Sequence, residues 1–479
     1  MRRAARSVPA PLALLFAVAT VQFLAWMLVV PALQTPDESA HFAYAQRLVE
    51  TGERPPLEGD EPPFSPELEA VRLDGGLGPL VGNLSARPYW TGLDERLWRA
   101  HDRSLGPDAR GARTGPNTAA RNPPGYYLYA GAAYAAASAG TVVDRLFAMR
   151  AANLPLYLLT IAMTWVLAGR LLGPAPWPRT VAAGAVAVHP QFAFVAAGVS
   201  PDPLLTALWA VFLVVAVRAV DRGASWGGSA ALVALGAAAV LTHPRGAPLA
   251  LLAVLAIGLG LRGRVRRLPR AALGAVAAAA AVATAAVVLA LVSGLGVLES
   301  TSGARFDVRQ FGSYLWQFYL PRLPFMTESI GPEYGAHTAY VETFYGVFAS
   351  LEVRWPAWVY TLLAIASLAG LAALAAVLVG ARARLREHAA RTAFLAAAPL
   401  VLVASLHFAA YRNLQIDPTD PIVVGRYLFG LLPLLGVAVA LVVRALPARA
   451  SLAAGTLVLL AGALLGISGL GMTAVRFGV

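Results

Sequence analysis

Apolar runs of about 20 residues recur from one end of this chain to the other. Each is long enough to cross a hydrocarbon core of roughly 30 Å as a helix. They fall near 11–31, 150–171, 180–199, 203–219, 228–242, 244–261, 271–293, 356–380, 391–411, 425–443 and 450–472. A further stretch, 124–142, opens Pro-Gly-Tyr-Tyr and is otherwise mostly Ala and Gly. Composition agrees: 58% of the residues are hydrophobic and 13% charged, where a soluble domain carries roughly 25% charged residues. So much apolar surface needs lipid to face. The expected fold is an all-α polytopic membrane protein of about eleven transmembrane helices, a single membrane domain over 1–479.

Two features exclude chemistry. The chain has no cysteine, which removes disulfides, thiolate metal sites and cysteine nucleophiles. The formal charge is +12, and every basic residue is arginine. These arginines fall mostly between the apolar runs, so they read as topology signals and not as a nucleic-acid surface. With the high Ala, Gly and Pro content, they fit a GC-rich bacterial genome and a bacterial plasma membrane.

Short cytoplasmic loops collect arginine. The richest clusters are Arg262, Arg264, Arg266, Arg267 and Arg270, then Arg382, Arg384, Arg386 and Arg391. Both fall inside, with Arg2, Arg3 and Arg6, only if 124–142 does not span. That stretch is therefore expected to be a juxtamembrane or re-entrant helix, with the N-terminus cytoplasmic. Two long extracytoplasmic loops follow, 32–149 with juxtamembrane helices and 294–355, and a short one at 412–424. The prolines between Arg54 and Pro66 make that stretch an extended linker.

Directly after the first apolar run stands Thr35-Pro36-Asp37-Glu38-Ser39-Ala40-His41-Phe42. Thr35 suits an N-cap and Pro36 the first helical position. Asp37 and His41, four apart, share a face. The two acids either complement the helix dipole or hold a proton or a divalent metal beside bound substrate. Asp202, between two apolar runs, lies on the same side in this topology. Arginines are scarcer there. Arg121, Arg245 and Arg426 either snorkel to the interface or bind phosphate through their planar donor forks. Trp355 reads as an interfacial anchor. His189 and His407 read as packing residues, and no histidine spacing suggests a metal motif.

The segment Thr35 to Phe42 resembles the signature of the GT-C superfamily, integral membrane glycosyltransferases that use polyprenyl-phosphate sugars. Further stretches resemble it in order: Asn122-Pro123-Pro124-Gly125-Tyr126-Tyr127, Ser200-Pro201-Asp202, Thr242-His243-Pro244-Arg245-Gly246, Phe344-Tyr345-Gly346-Val347-Phe348 with Glu352, and Gly425-Arg426-Tyr427-Leu428-Phe429. The resemblance implies a GT-C-like fold and an active site on the extracytoplasmic side. It makes Asp37 the catalytic base or an acceptor-positioning acid, with Glu38 beside it to share the role and Asp202 as second acid. It gives Arg121 (a lysine in several relatives), Arg245 and Arg426 to the donor phosphate. His41, Tyr427 and Glu352 are further site candidates. The implied partners are a polyprenyl-phosphate sugar donor, membrane lipid, and a glycan or protein acceptor. A divalent metal, Mg or Mn, bridging acid and phosphate is compatible with the resemblance. The rival reading is a transporter or flippase of a lipid-linked or polar solute, and a third is an assembly subunit.

Overall fold

The computed structural model describes residues 8–86, 91–106, 108–111, 114–265, 306–331, 334–415 and 423–478. The chain is an all-α polytopic membrane protein. Eight helices among the described residues are long and apolar enough to span a bilayer. Ala357–Gly380 shows why lipid is required. It has 24 residues and no charge, rises about 36 Å, and leaves Leu362, Ile365, Leu368 and Leu371 exposed.

Ten of the eleven expected runs are helical; the eleventh, 271–293, lies outside the described residues, as do Arg266, Arg267 and Arg270. The run expected at 180–199 is two helices, Pro176–Ala187 and Pro190–Ala196. Pro190 has no amide to continue the first helix, and His189 Nδ1 accepts the Phe192 amide at the second start. The run expected at 425–443 opens as a 3₁₀ turn, Gly425–Leu431, before Leu432–Arg444.

Gly125–Ala136 forms a helix of 12 residues. At about 1.5 Å per residue it reaches only about 18 Å, too short to cross. Helix begins again within the last residues of the expected loop 32–149. Thr141 and Asp144 form a reciprocal capping box, and helix runs from Val142 through Leu172 with one brief interruption.

Helices alternate in direction, so chain order fixes which turns meet. The turns after Val29, before Asp202, after Thr242 and before Leu432 lie at one end of the bundle, bridged by side-chain contacts described below. Arg170, Arg222 and Arg444 stand in the last turns of their helices at the opposite end, where Arg391 pairs with Asp221. At the first end the loops carry a packed polar network. Arg145, fully buried, pairs with Glu67, which also accepts from Gln46 and Arg110. A short hairpin, Val347–Phe348 against Val353–Arg354, lies over the turn after the first helix, where the Ser350 hydroxyl donates to the Gln34 carbonyl at 3.4 Å.

Candidate active site

Four separate stretches of chain meet at that end. Asp37 is the N-cap of Glu38–Thr51 and holds a left-handed backbone, φ 60°. Thr35 is not the cap, contrary to the sequence expectation. The Asp37 carboxylate turns away from the helix amides, and Arg426 Nη2 donates to its Oδ2 at 3.0 Å. Asp202, 4% exposed, opens Asp202–Arg222. Its Oδ1 lies 2.8 Å from Arg245 Nη2 and its Oδ2 3.8 Å from Arg426 Nε. Arg426 therefore stands between the two acids, and Arg245 completes an Asp37–Arg426–Asp202–Arg245 chain.

Local sequence explains each placement. Pro244 breaks the helical run, and His243 Nδ1 accepts both the Arg245 amide and Arg245 Nε, which fixes the guanidinium. Tyr427 lies beneath it, with the Arg245 guanidinium carbon 3.8 Å from the ring centroid, a cation–π contact. Gly425 brings Arg426 in. Its amide donates to Thr343 Oγ1 at 2.7 Å, and a Cβ there would collide with the Phe344 backbone.

His41 lies in the same electrostatic neighbourhood. Asn122 Nδ2 donates to the Tyr127 hydroxyl at 2.9 Å, and Tyr127 lies 2.8 Å from His41 Nδ1. Tyr44 stacks on Tyr127 at 3.7 Å. Burial, reinforced by Arg426 and Arg245 and opposed by Asp37 and Asp202, lowers His41 to about 4. It is thus neutral at neutral pH. Burial raises the Asp37 carboxyl, but the Arg426 charge and hydrogen bond outweigh it and hold Asp37 below its ordinary value.

Three expected site residues lie elsewhere. Glu38 is fully buried against Arg150, which donates to both its oxygens at 2.8 and 2.6 Å. The Val199 amide also donates to Glu38 at 3.0 Å. With its oxygens so occupied, Glu38 braces the Asp37 turn against the turn leading to Asp202 and presents no free oxygen for catalysis. Arg121 is exposed, while its neighbour Asn122 joins the Tyr127 network. Glu352 pairs with Arg476 at 2.9 Å and anchors the end of Ala448–Phe477 to the loops. Trp355 is buried, donating to Ser468 Oγ, and is not the interfacial anchor its position suggested. Sequence reasoning missed His243, Tyr127, Asn122 and Arg150. Three of them, His243, Tyr127 and Asn122, stand inside motifs already singled out.

Asp37 has a second face. Its side chain is 44% exposed against 12% for Arg426, and it opens on a cavity of about 310 Å³. Leu33, Phe64, Val81, Leu351, Thr118 and Ser350 are among its walls. Among the described residues, four non-glycines have positive φ: Leu33, Asp37, Ala349 and Leu351. Three of them line this cavity. Such strain costs about 1–3 kcal/mol per residue and clusters at functional sites.

The donor set does not suit a metal. Among the described residues no three His, Asp or Glu side chains converge on a cation site. Arg426 already lies between the two acids a cation would bridge.

A family model described as Predicted membrane protein (DUF2142) matches residues 21–435. No curated protein matches the chain. Similar solved structures include two of ArnT from Cupriavidus metallidurans. The apo crystal structure is 14% identical, with 92% of this chain and 61% of that chain covered and a TM-score of 0.42. The structure bound to undecaprenyl phosphate is 15% identical, with 97% and 76% covered and a TM-score of 0.46. This chain thus spans about three fifths of the apo ArnT chain.

Proposed function

The chain belongs to the family described as Predicted membrane protein (DUF2142), and from that premise we propose that it is a GT-C-type glycosyltransferase of the bacterial plasma membrane. It moves a sugar from a polyprenyl-phosphate donor to an extracytoplasmic acceptor. The observation that carries this reading is the convergence of Arg245 and Arg426 on Asp37 and Asp202. Two arginine forks at one end of a helical bundle suit a lipid phosphate held at the membrane surface. The arginine-capped helix ends opposite favour an extracytoplasmic site.

In the proposed reaction the acceptor hydroxyl oxygen bonds to the anomeric carbon. The bond from that carbon to the phosphate oxygen breaks, and its electron pair leaves with the phosphate. Asp37 takes the hydroxyl proton. Charge grows on the departing phosphate, so Arg245 and Arg426 stabilise the transition state more than the ground state. Asp202 holds Arg245, and Arg426 Nε, buried 3.8 Å from Asp202 Oδ2, has no hydrogen-bond partner among the described residues. A transporter would need its polar groups near the bilayer midplane, whereas these sit at the end of the bundle.

The test is transfer from a panel of radiolabelled polyprenyl-phosphate monosaccharides to a crude envelope fraction, by wild type and Asp37→Asn in parallel. Transfer by wild type alone supports the reading. Absence of transfer, with no polyprenyl phosphate bound, removes it.

A further inference from the structure

The cavity on the open face of Asp37 is unassigned by the donor reading, which uses only the arginine face. We propose that it is the acceptor site and that it takes a single sugar ring. The inference rests on Asp37 acting as the base. It follows from position, size and lining.

Position comes first. Asp37 separates two regions, with Arg426 on its buried side and the cavity on its exposed side. A base must touch the hydroxyl it deprotonates, and the arginine side is given to phosphate. Size comes next. The volume of about 310 Å³ gives room for one monosaccharide ring. The lining is mixed: Phe64, Val81, Leu33 and Leu351 give apolar wall, Thr35, Ser39, Thr118 and Ser350 are hydroxyl residues, and Arg72, 4.4 Å over the Phe64 ring, adds a charge. A sugar ring has the matching character, apolar C–H faces with polar edges. A serine side chain on a peptide would leave most of that wall uncovered.

The cavity is also built on strain. Leu33, Asp37 and Leu351, all left-handed without being glycine, shape it from the turn after the first helix and from the hairpin. Ser350, between the positive-φ residues Ala349 and Leu351, ties the hairpin to the turn after the first helix through the Gln34 carbonyl. Packing that holds three such residues has a use for the shape they make.

The probes are methyl pentofuranosides and methyl hexopyranosides, read by saturation-transfer NMR on the full chain in nanodiscs. Polyprenyl phosphate binding is measured on the same samples. Val81→Trp and Ser350→Trp each add bulk to the cavity lining, and neither replaces Arg245 or Arg426. Wild type is expected to saturate at least one glycoside. Each filled variant is expected to lose that signal at least fivefold with polyprenyl phosphate binding unchanged, which also shows that it has folded. The inference is overturned if no glycoside is saturated, if both filled variants keep the signal, or if a serine peptide is saturated where the glycosides are not. Loss of polyprenyl phosphate binding in wild type with the glycoside signal intact counts against the donor reading and upholds the cavity.

Discussion

Arg426 donates to Asp37 at 3.0 Å across 389 residues of sequence. The proposed base is therefore held by the same arginine that the proposed phosphate needs. A carboxylate kept below its ordinary pKa is a weak proton acceptor, and a phosphate that draws Arg426 away makes it a better one.

Asp37→Asn is accordingly expected to act in two directions. Transfer falls by about 10²–10⁴-fold, the usual cost of losing a general base. Affinity for polyprenyl phosphate rises, because a competing anion is gone. An exposed ion pair is worth up to about 1 kcal/mol, so the gain is about two- to fivefold. Isothermal titration with polyprenyl phosphate decides it; weaker binding by the variant would mean that Asp37 helps to hold phosphate instead of competing with it.

The arginines are predicted to separate. Arg245→Met and Arg426→Met each remove charge-assisted hydrogen bonds of about 1.5–3 kcal/mol, so phosphate affinity falls about 10- to 150-fold. Arg121→Met, at an exposed side chain outside the ion-pair chain, is expected to change it less than twofold. An equal loss at Arg121 would return that residue to the site. Chelator is expected to leave transfer unchanged, since Arg426 and not a cation lies between the acids.

Much of this was legible in the sequence for a simple reason. Apolar runs and arginine asymmetry are written locally, so the helices and the short Gly125–Ala136 segment follow from length and charge. The meeting of Asp37, Asp202, Arg245 and Arg426 was available only through the ordered motifs, because Arg426 reaches both acids across hundreds of residues. Glu38 shows what local reading misses. Beside Asp37 in sequence, it points into the bundle, where Arg150 waits 112 residues away. Nothing near Glu38 announces that partner. The break at His189 was likewise hidden inside a run of adequate length and hydrophobicity.

Glu38→Ala is expected to behave as a folding lesion and not as a catalytic one. It leaves Arg150 buried and without its carboxylate, a cost of about 3–5 kcal/mol. Arg150 keeps its bonds to the Met27, Val30 and Pro31 carbonyls, which place it at the end of the first helix. Yield of monodisperse protein and the apparent melting temperature should both fall sharply. A variant that melts like wild type yet transfers no sugar would place Glu38 in the chemistry after all.

Gly425→Ala probes the placement of Arg426 without touching its charge. The added methyl meets Phe344 backbone, which cannot swing aside like a side chain. Overpacking of this kind costs about 1–3 kcal/mol. Phosphate affinity is expected to fall with it, as Arg426 shifts away from Asp202. Gly370→Ala is the control: a Cβ there meets nothing, and alanine favours the helix by about 1 kcal/mol. Comparable melting losses in both variants would remove the close approach at Gly425 as the cause.

The last prediction concerns pH. His41 titrates at about 4 in the folded chain against 6.5 for an unperturbed histidine. Between those values the unfolded chain takes up a proton that the folded chain refuses, so stability rises with pH there. The contribution is fully present above pH 6.5, declines as pH falls, and is exhausted below about 4. Two and a half pH units correspond to about 3 kcal/mol. His243, held well below its ordinary value by burial and by Arg245, acts in the same direction. Wild type should therefore lose apparent melting temperature steadily from pH 6.5 to 4.5. His41→Gln, which keeps a hydrogen-bonding side chain for Tyr127 and cannot titrate, should show a shallower decline. Its absolute stability at pH 7 is a separate matter, so the slope is the quantity to compare. Parallel slopes would mean that His41 already carries its proton in the folded chain, drawn up by Asp37 and Asp202 against the effect of burial.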